Sequence, residues 1–141
     1  MSFLYLDSSI VLRFLLRQPD HLELRGRPEF AAASALTRVE SLRSLDRLRL
    51  AGTDELTLAL RRATLEDLLA HTQTIDLTPA ILSRAASPLS VPLGTLDAVH
   101  LASALSWSEW LDSPVTFATH DRALARAARM YGFPVTGVAP E

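Results

Sequence analysis

Short apolar runs alternate with cap-started helical segments along almost the whole chain, and that alternation limits its fold more than any other feature. Phe3-Leu4-Tyr5-Leu6 is a short buried strand by its length, and Asp7-Ser8-Ser9 behind it can cap a helix over Ile10 to Leu16. Gln18 to Pro28 holds two prolines and a glycine among charged residues and reads as a loop with at most a turn of helix. Phe30 to Ala33 is a second, weaker strand. Ser34 then caps a helix to about Leu50 whose apolar stripe is Leu36, Val39, Leu42, Leu45 and Leu48, and Gly52 stops it.

From Thr53 a further helix runs to about Ala70 with Leu56, Leu60, Leu65, Leu68 and Leu69 as its buried positions, and Thr72 to Leu77 alternates as a strand does. Thr78-Pro79 pairs a cap with proline at the first helical position and starts a short helix ending near Ser87-Pro88. Thr95 is expected to cap a helix from Leu96 to about Glu109. Val115 to Ala118 is a strand, Asp121 to Tyr131 a helix closed by Gly132, and Val135 to Val138 a last strand. Strand and helix repeat in turn, with one helical hairpin inserted. The pattern predicts an α/β fold of three layers, with helices on both faces of a central, mainly parallel sheet of about four to five strands. Right-handed crossovers then put every strand's carboxyl end on one edge, where ligands bind.

At 141 residues, 48% hydrophobic and 21% charged, the chain has the means for one domain over 1–141 with a real core. No apolar stretch reaches the length a bilayer requires, and the N-terminus lacks both a basic start and a small-residue cleavage site, so a soluble cytoplasmic protein is expected. With no cysteine, thiolate chemistry and thiolate zinc sites are excluded.

Four acidic residues fall where apolar runs meet the next segment. Asp7 follows the first strand directly, Asp121 follows the strand Val115 to Ala118 by three residues, Asp97 sits in the first turn of its helix, and Glu40 lies about two turns into its own. A fold that unites those ends gathers four carboxylates, and carboxylates crowded away from water do not all ionise without a compensating positive charge. Hard oxygen ligands suit Mg²⁺ or Mn²⁺, which points to metal-assisted phosphate chemistry. Taken singly each acid has a plainer reading: Asp7 and Asp121 as helix caps, Asp97 as a dipole-stabilising first-turn acid, Glu40 as an exposed helix charge.

The net charge of −2 does not mark a nucleic-acid binder, but all 14 basic residues are arginines and lysine is absent. The missing lysine argues against phosphatases and phosphotransfer receivers that depend on one, whereas Arg grips phosphodiesters well. Arginines on the helix from Ser34, with Arg61 and Arg62, are candidates for an RNA groove. Trp107 and Trp110 read as core or interface. His21 and His71 have no metal-site spacing; His100, one helical turn after Asp97, is placed to hydrogen-bond a carboxylate but reads first as a satisfied core histidine, and His120 beside Asp121 is no better supported, so all four are left out of the site.

Tyr5-Leu6-Asp7-Ser8-Ser9, Ser34 to Glu40, Thr95 to Ala102 and Phe117 to Arg122 together resemble the motifs of PIN-domain proteins, and most of all VapC-type toxins. The likeness covers nearly the whole chain, in the family's order. It implies a PIN-like fold and places Asp7, Glu40, Asp97 and Asp121 at the family's four acidic positions, with Thr119 and Ser8 as hydroxyl neighbours. It further implies a Mg²⁺- or Mn²⁺-dependent endoribonuclease that cleaves RNA as the toxin of a type II toxin-antitoxin pair, a cognate antitoxin, and commonly a homodimer. The competing expectation is a catalytically inactive PIN-like binding module with a structural metal.

Overall fold

Leu4 and Leu6 of the first strand face one way and Tyr5 the other, and all three are almost wholly buried, so this strand has a packed layer on each side. The computed structural model describes residues 1–139. In chain order its elements are β1 (Phe3–Leu6), α1 (Ser8–Leu15), β2 (Phe30–Ser34), α2 (Ala35–Leu50), α3 (Glu55–Ala70), β3 (Gln73–Ile75), α4 (Pro79–Ala86), α5 (Thr95–Leu111), β4 (Val115–Ala118), α6 (Arg122–Met130) and β5 (Val135–Thr136). The five strands form one sheet in the order β3-β2-β1-β4-β5, every pair parallel. Parallel strands need crossovers, and each crossover covers a face. Helices α1, α2 and α3 bury Ile10, Val11, Leu15, Leu45 and Leu65 against Leu4 and Leu6. On the other face α5 and α6 bury Leu101, Trp107, Leu124 and Ala128 against Tyr5 and Phe117.

The chain leaves β1 toward β2 and β3, then crosses back over β1 to β4 and β5. The strand order therefore reverses beside β1, and the crevice at the carboxyl ends of β1 and β4 is the switch point where α/β proteins place ligands. The Asp7 amide donates to the Ala118 carbonyl at 3.1 Å and the Thr119 amide to the Thr136 carbonyl at 3.0 Å, which ties the ends of β1, β4 and β5 together.

Several expected details differ. Gly94, not Thr95, is the N-cap of α5: it adopts the extended cap conformation, and Thr95 begins the helix without a side-chain cap bond. The buried face of α2 runs Thr37, Ser41 and Leu45, while Val39, expected in the apolar stripe, is 55% exposed. That face turns polar because its first turns look into the switch-point crevice instead of into the apolar layer. Leu56 and Leu60 of α3 are 70% and 61% exposed, leaving Leu58 and Leu65 as the inward positions. Trp107 is core and Trp110 stands exposed.

The expected strand from Val135 to Val138 stops at Thr136 because Gly137 turns to φ +102°. A Cβ on Gly137 would overlap the Thr119 carbonyl oxygen and press on Ile10 Cδ1, whereas Gly52, also left-handed, has nothing within 4 Å. Gly137→Ala is therefore expected to cost clearly more stability than Gly52→Ala, whose penalty is about 1 kcal/mol of backbone strain. Urea unfolding of the two variants measures the difference; equal losses would contradict the close approach at Thr119.

Candidate active site

Asp7 caps α1 from the end of β1 and is 3% exposed. Its Oδ1 accepts from the Ser9 hydroxyl at 2.6 Å and the Ile10 amide at 3.2 Å, and its Oδ2 accepts from the Thr119 hydroxyl at 2.7 Å. Thr119 in turn accepts the Asp121 amide at 3.0 Å, so one hydroxyl links the two acids that follow β1 and β4. Asp121 is the N-cap of α6, its Oδ1 taking the Leu124 amide at 3.0 Å. The cap readings of Asp7 and Asp121 and their place at the crevice thus hold together: capping is what aims each carboxylate at the strand ends.

Asp97 enters from the first turn of α5 and, among the described residues, accepts no hydrogen bond. Glu40 comes from α2 and is half-buried. Its Oε1 accepts from the Ser8 hydroxyl at 2.5 Å and from His100 Nε2 at 2.9 Å. Ser8 also lies 3.3 Å from Thr37 Oγ1 and 3.0 Å from His100 Nε2, and His100 Nδ1 lies 2.7 Å from the Tyr5 hydroxyl. Sequence reasoning left His100 aside as an ordinary buried histidine. It is buried and bonded to one of the four acids, but that acid is Glu40, 60 positions away, and not Asp97 one turn before it on the same helix.

Asp97 lies within electrostatic reach of the other three carboxylates. Burial pushes the Asp97 carboxyl above its ordinary pKa, and the charges of Asp121, Asp7 and Glu40 push it further. Asp7 is also raised, first by burial, with the Ser9, Thr119 and Ile10 hydrogen bonds pulling the other way. At Glu40 burial works upward too, but the bonds from His100 and Ser8 outweigh it and leave that carboxyl below its usual value. The chemistry of the donors, all hard carboxylate oxygens, fits a divalent cation. Their arrangement is not yet a coordination sphere: among the described residues no three His, Asp or Glu side chains are grouped so as to hold a metal ion as they stand.

The arginines proposed for an RNA groove are mostly committed elsewhere. Arg38 pairs with Glu66 at 2.7 Å, Arg43 and Arg49 flank Asp46 at 3.3 and 2.9 Å, Arg47 donates to Ser44, and Arg61 donates to the Leu15 carbonyl. On α6, Arg122 and Arg129 stand seven residues apart on one exposed face that begins beside Asp121. Among the described residues Arg122 and Arg129 form no ion pair.

Comparison with known proteins identifies the framework. A family model described as the PIN domain matches residues 4–130. Ribonuclease VapC47 of Mycobacterium tuberculosis (strain CDC 1551 / Oshkosh) is 32% identical over 137 residues, covering 92% of this chain and 93% of that protein. The chain belongs to the PIN-domain family, in its VapC-type branch. Ribonuclease VapC46 of Mycobacterium tuberculosis (strain ATCC 25618 / H37Rv) is likewise 32% identical, over 144 residues that cover 96% of this chain and 97% of the relative. Among solved structures, PAE2754 from Pyrobaculum aerophilum shares the PIN-like fold with TM-score 0.66 at 18% identity over 95% of this chain and 83% of its own. A toxin-antitoxin complex from Klebsiella pneumoniae matches with TM-score 0.63 at 19% identity, covering 96% of this chain and 95% of that chain.

The raised carboxyls of this PIN domain have a measurable consequence. Folded, Asp97 holds its proton to higher pH than it does unfolded, so the folded state binds more protons between the ordinary Asp value and the raised one, and Asp97's contribution to stability falls as pH climbs through that window. In EDTA, Asp97→Asn is expected to unfold near the wild-type temperature at about pH 4 and a few degrees above it at neutral pH. Thermal unfolding at both pH values checks this; a wild type that outlasts the variant at neutral pH would contradict the crowding.

Proposed function

We propose that this VapC-type PIN domain is an endoribonuclease dependent on Mg²⁺ or Mn²⁺, acting as the toxin of a VapBC-like pair. The reading rests on Asp7 and Asp121 capping the helices that leave β1 and β4, with Asp97 in the first turn of α5 within electrostatic reach of both and of Glu40. The relatives named ribonucleases and the neighbour described as a toxin-antitoxin complex support the same reading.

Asp7, Asp97 and Asp121 are the residues that would hold the ion, with Glu40 beside them as a further ligand or as the group that orients the attacking water. A bound divalent ion supplies a nucleophile at neutral pH, relieves charge on the phosphoryl oxygens and stabilises the leaving oxygen. The chain's own groups prepare for this. Ser9 and Thr119 fix the orientation of Asp7, and Thr119 couples it to the start of α6. Arg122 and Arg129 on α6 offer the phosphate backbone of RNA a path away from the acidic centre, which would otherwise repel it. Leu50, Leu56 and Leu60, exposed at and beyond the α2–α3 turn, leave apolar surface of the kind that a partner protein covers. We place the protein in the cytoplasm as a homodimer regulated by a cognate antitoxin.

The ligand group is not assembled among the described residues, and this favours one alternative, an inactive PIN-like module in which metal serves the fold. Cleavage decides between them. Purified protein with Mn²⁺ is expected to cut total RNA at mapped internal positions, to stop in EDTA, and to lose at least about 100-fold in rate as Asp97→Asn; metal-dependent stability without turnover would establish the alternative. For the arginine path, Arg122→Ala with Arg129→Ala is expected to weaken RNA binding and to flatten its logarithmic salt dependence by about 0.7 for each phosphate that is no longer neutralised. An unchanged salt slope would remove α6 from the substrate path.

A further inference from the structure

A chain of buried polar groups ends on one oxygen of Glu40. Tyr5 is fully buried on β1, His100 is 2% exposed on α5, and Ser8 is buried at the start of α1. Buried polar groups are costly unless hydrogen-bonded. An apolar trio would fill this space at no such cost, so the polar chain calls for a reason beyond packing.

Direction follows from donor and acceptor capacity. A carboxylate only accepts, so the Ser8 hydroxyl and His100 Nε2–H both donate to Glu40 Oε1. Nε2 therefore carries a hydrogen. With the hydrogen on Nε2, the ring's Nδ1 is left to accept, and the Tyr5 hydroxyl at 2.7 Å donates to it, which assigns His100 the Nε2–H tautomer. Glu40 Oε1 is thereby saturated. Among the described residues Glu40 Oε2 accepts no hydrogen bond and is the oxygen left for chemistry.

We infer that Tyr5 and His100 are positioning residues of the proposed ribonuclease, holding Glu40 as a one-oxygen carboxylate whose Oε2 takes the proton of the attacking water instead of ligating the ion. The inference rests on the ribonuclease reading and assigns Glu40 its part in it. Water's oxygen forms the new P–O bond with a lone pair, its proton passes to Oε2, the bond to the leaving oxygen breaks with its electrons, and solvent protonates that oxygen. Tyr5 and His100 touch neither RNA nor ion. They act by fixing which oxygen of Glu40 is free.

The test uses the full chain as wild type, Tyr5→Phe, His100→Gln, His100→Ala, Glu40→Gln and Tyr5→Phe with Glu40→Gln. Tyr5→Phe removes one hydroxyl and is expected to lower kcat on RNA about tenfold with KM and Mn²⁺ affinity unchanged. His100→Ala loses more, and His100→Gln, which keeps an N–H for Oε1, recovers part of the loss. In the double variant Tyr5→Phe adds nothing to Glu40→Gln, as residues acting through one group require. An undiminished kcat in Tyr5→Phe, or losses that add fully in the double variant, would overturn the inference. A loss of Mn²⁺ affinity that matches the loss of rate would do the same. Nitrogen-15 NMR reads the imidazole independently of activity: Nε2–H in the wild type, scrambled in Tyr5→Phe, sustains the relay, and Nδ1–H in the wild type overturns it. Wild-type protein that cleaves no RNA sinks the ribonuclease reading, and the NMR result then decides whether the relay exists.

Discussion

Negative charge gathered at the carboxyl ends of β1 and β4 is the constraint to which the surrounding structure answers. Asp7, Asp97 and Glu40 each face a conflict between burial, which favours the neutral form, and chemistry, which needs the charge. Three of the four are eased by donors from the chain. Asp7 has two hydroxyls and an amide, Asp121 has the first turn of α6, and Glu40 has Ser8 and His100. Asp97 has no such donor and registers the repulsion of the others most directly. That unequal treatment is what an ion site needs: some ligands pinned, and one strained enough to gain when a cation arrives.

The fold delivers this concentration by topology more than by any single interaction. Because β1 lies between β2 and β4 and all strands are parallel, helices that start at the carboxyl ends of β1, β2 and β4 begin on one edge. Helix N-termini carry orphan amides and the positive end of the helix dipole, which is favourable for Asp7 and Asp121 as caps of α1 and α6 and for Asp97 in the first turn of α5, a helix that follows α4 instead of a strand. Glu40 is the exception, set further along α2 behind the polar face of Thr37 and Ser41. It is also the one carboxylate whose pKa is held low by a side-chain network.

Much of this could be read before any coordinates, because it depends on local signals. Phe3 to Leu6 followed by Asp7, Thr78 followed by Pro79, and Ala118 followed three residues later by Asp121 state strand ends and helix starts in a few neighbouring residues, and each element formed where expected. What stayed hidden depends on partners far apart in the chain. The Tyr5 hydroxyl meets a ring 95 positions away, and Thr119 reaches Asp7 across 112. Helical spacing alone also overstated the leucine stripes. Val39, Leu56 and Leu60 match the period of a buried face but stand outside it, since the crevice claims the inner face of α2 and α3 turns only part of its circumference to the sheet. Of the partners that engage the arginines of α2, Asp46 stands three residues from both Arg43 and Arg49 and was legible from helical spacing, whereas Glu66, 28 positions from Arg38, was not.

The most direct measurement of whether the clustered carboxylates serve a cation is a crystal structure of the protein soaked in Mn²⁺, with the metal located by its anomalous signal. The account predicts a peak within about 2.0–2.3 Å of carboxylate oxygens from Asp7, Asp97 and Asp121, with Glu40 still bound through Oε1 to Ser8 and His100. A crevice empty at saturating Mn²⁺, with Asp97 unmoved and Asp121 still engaged only in capping α6, would contradict it.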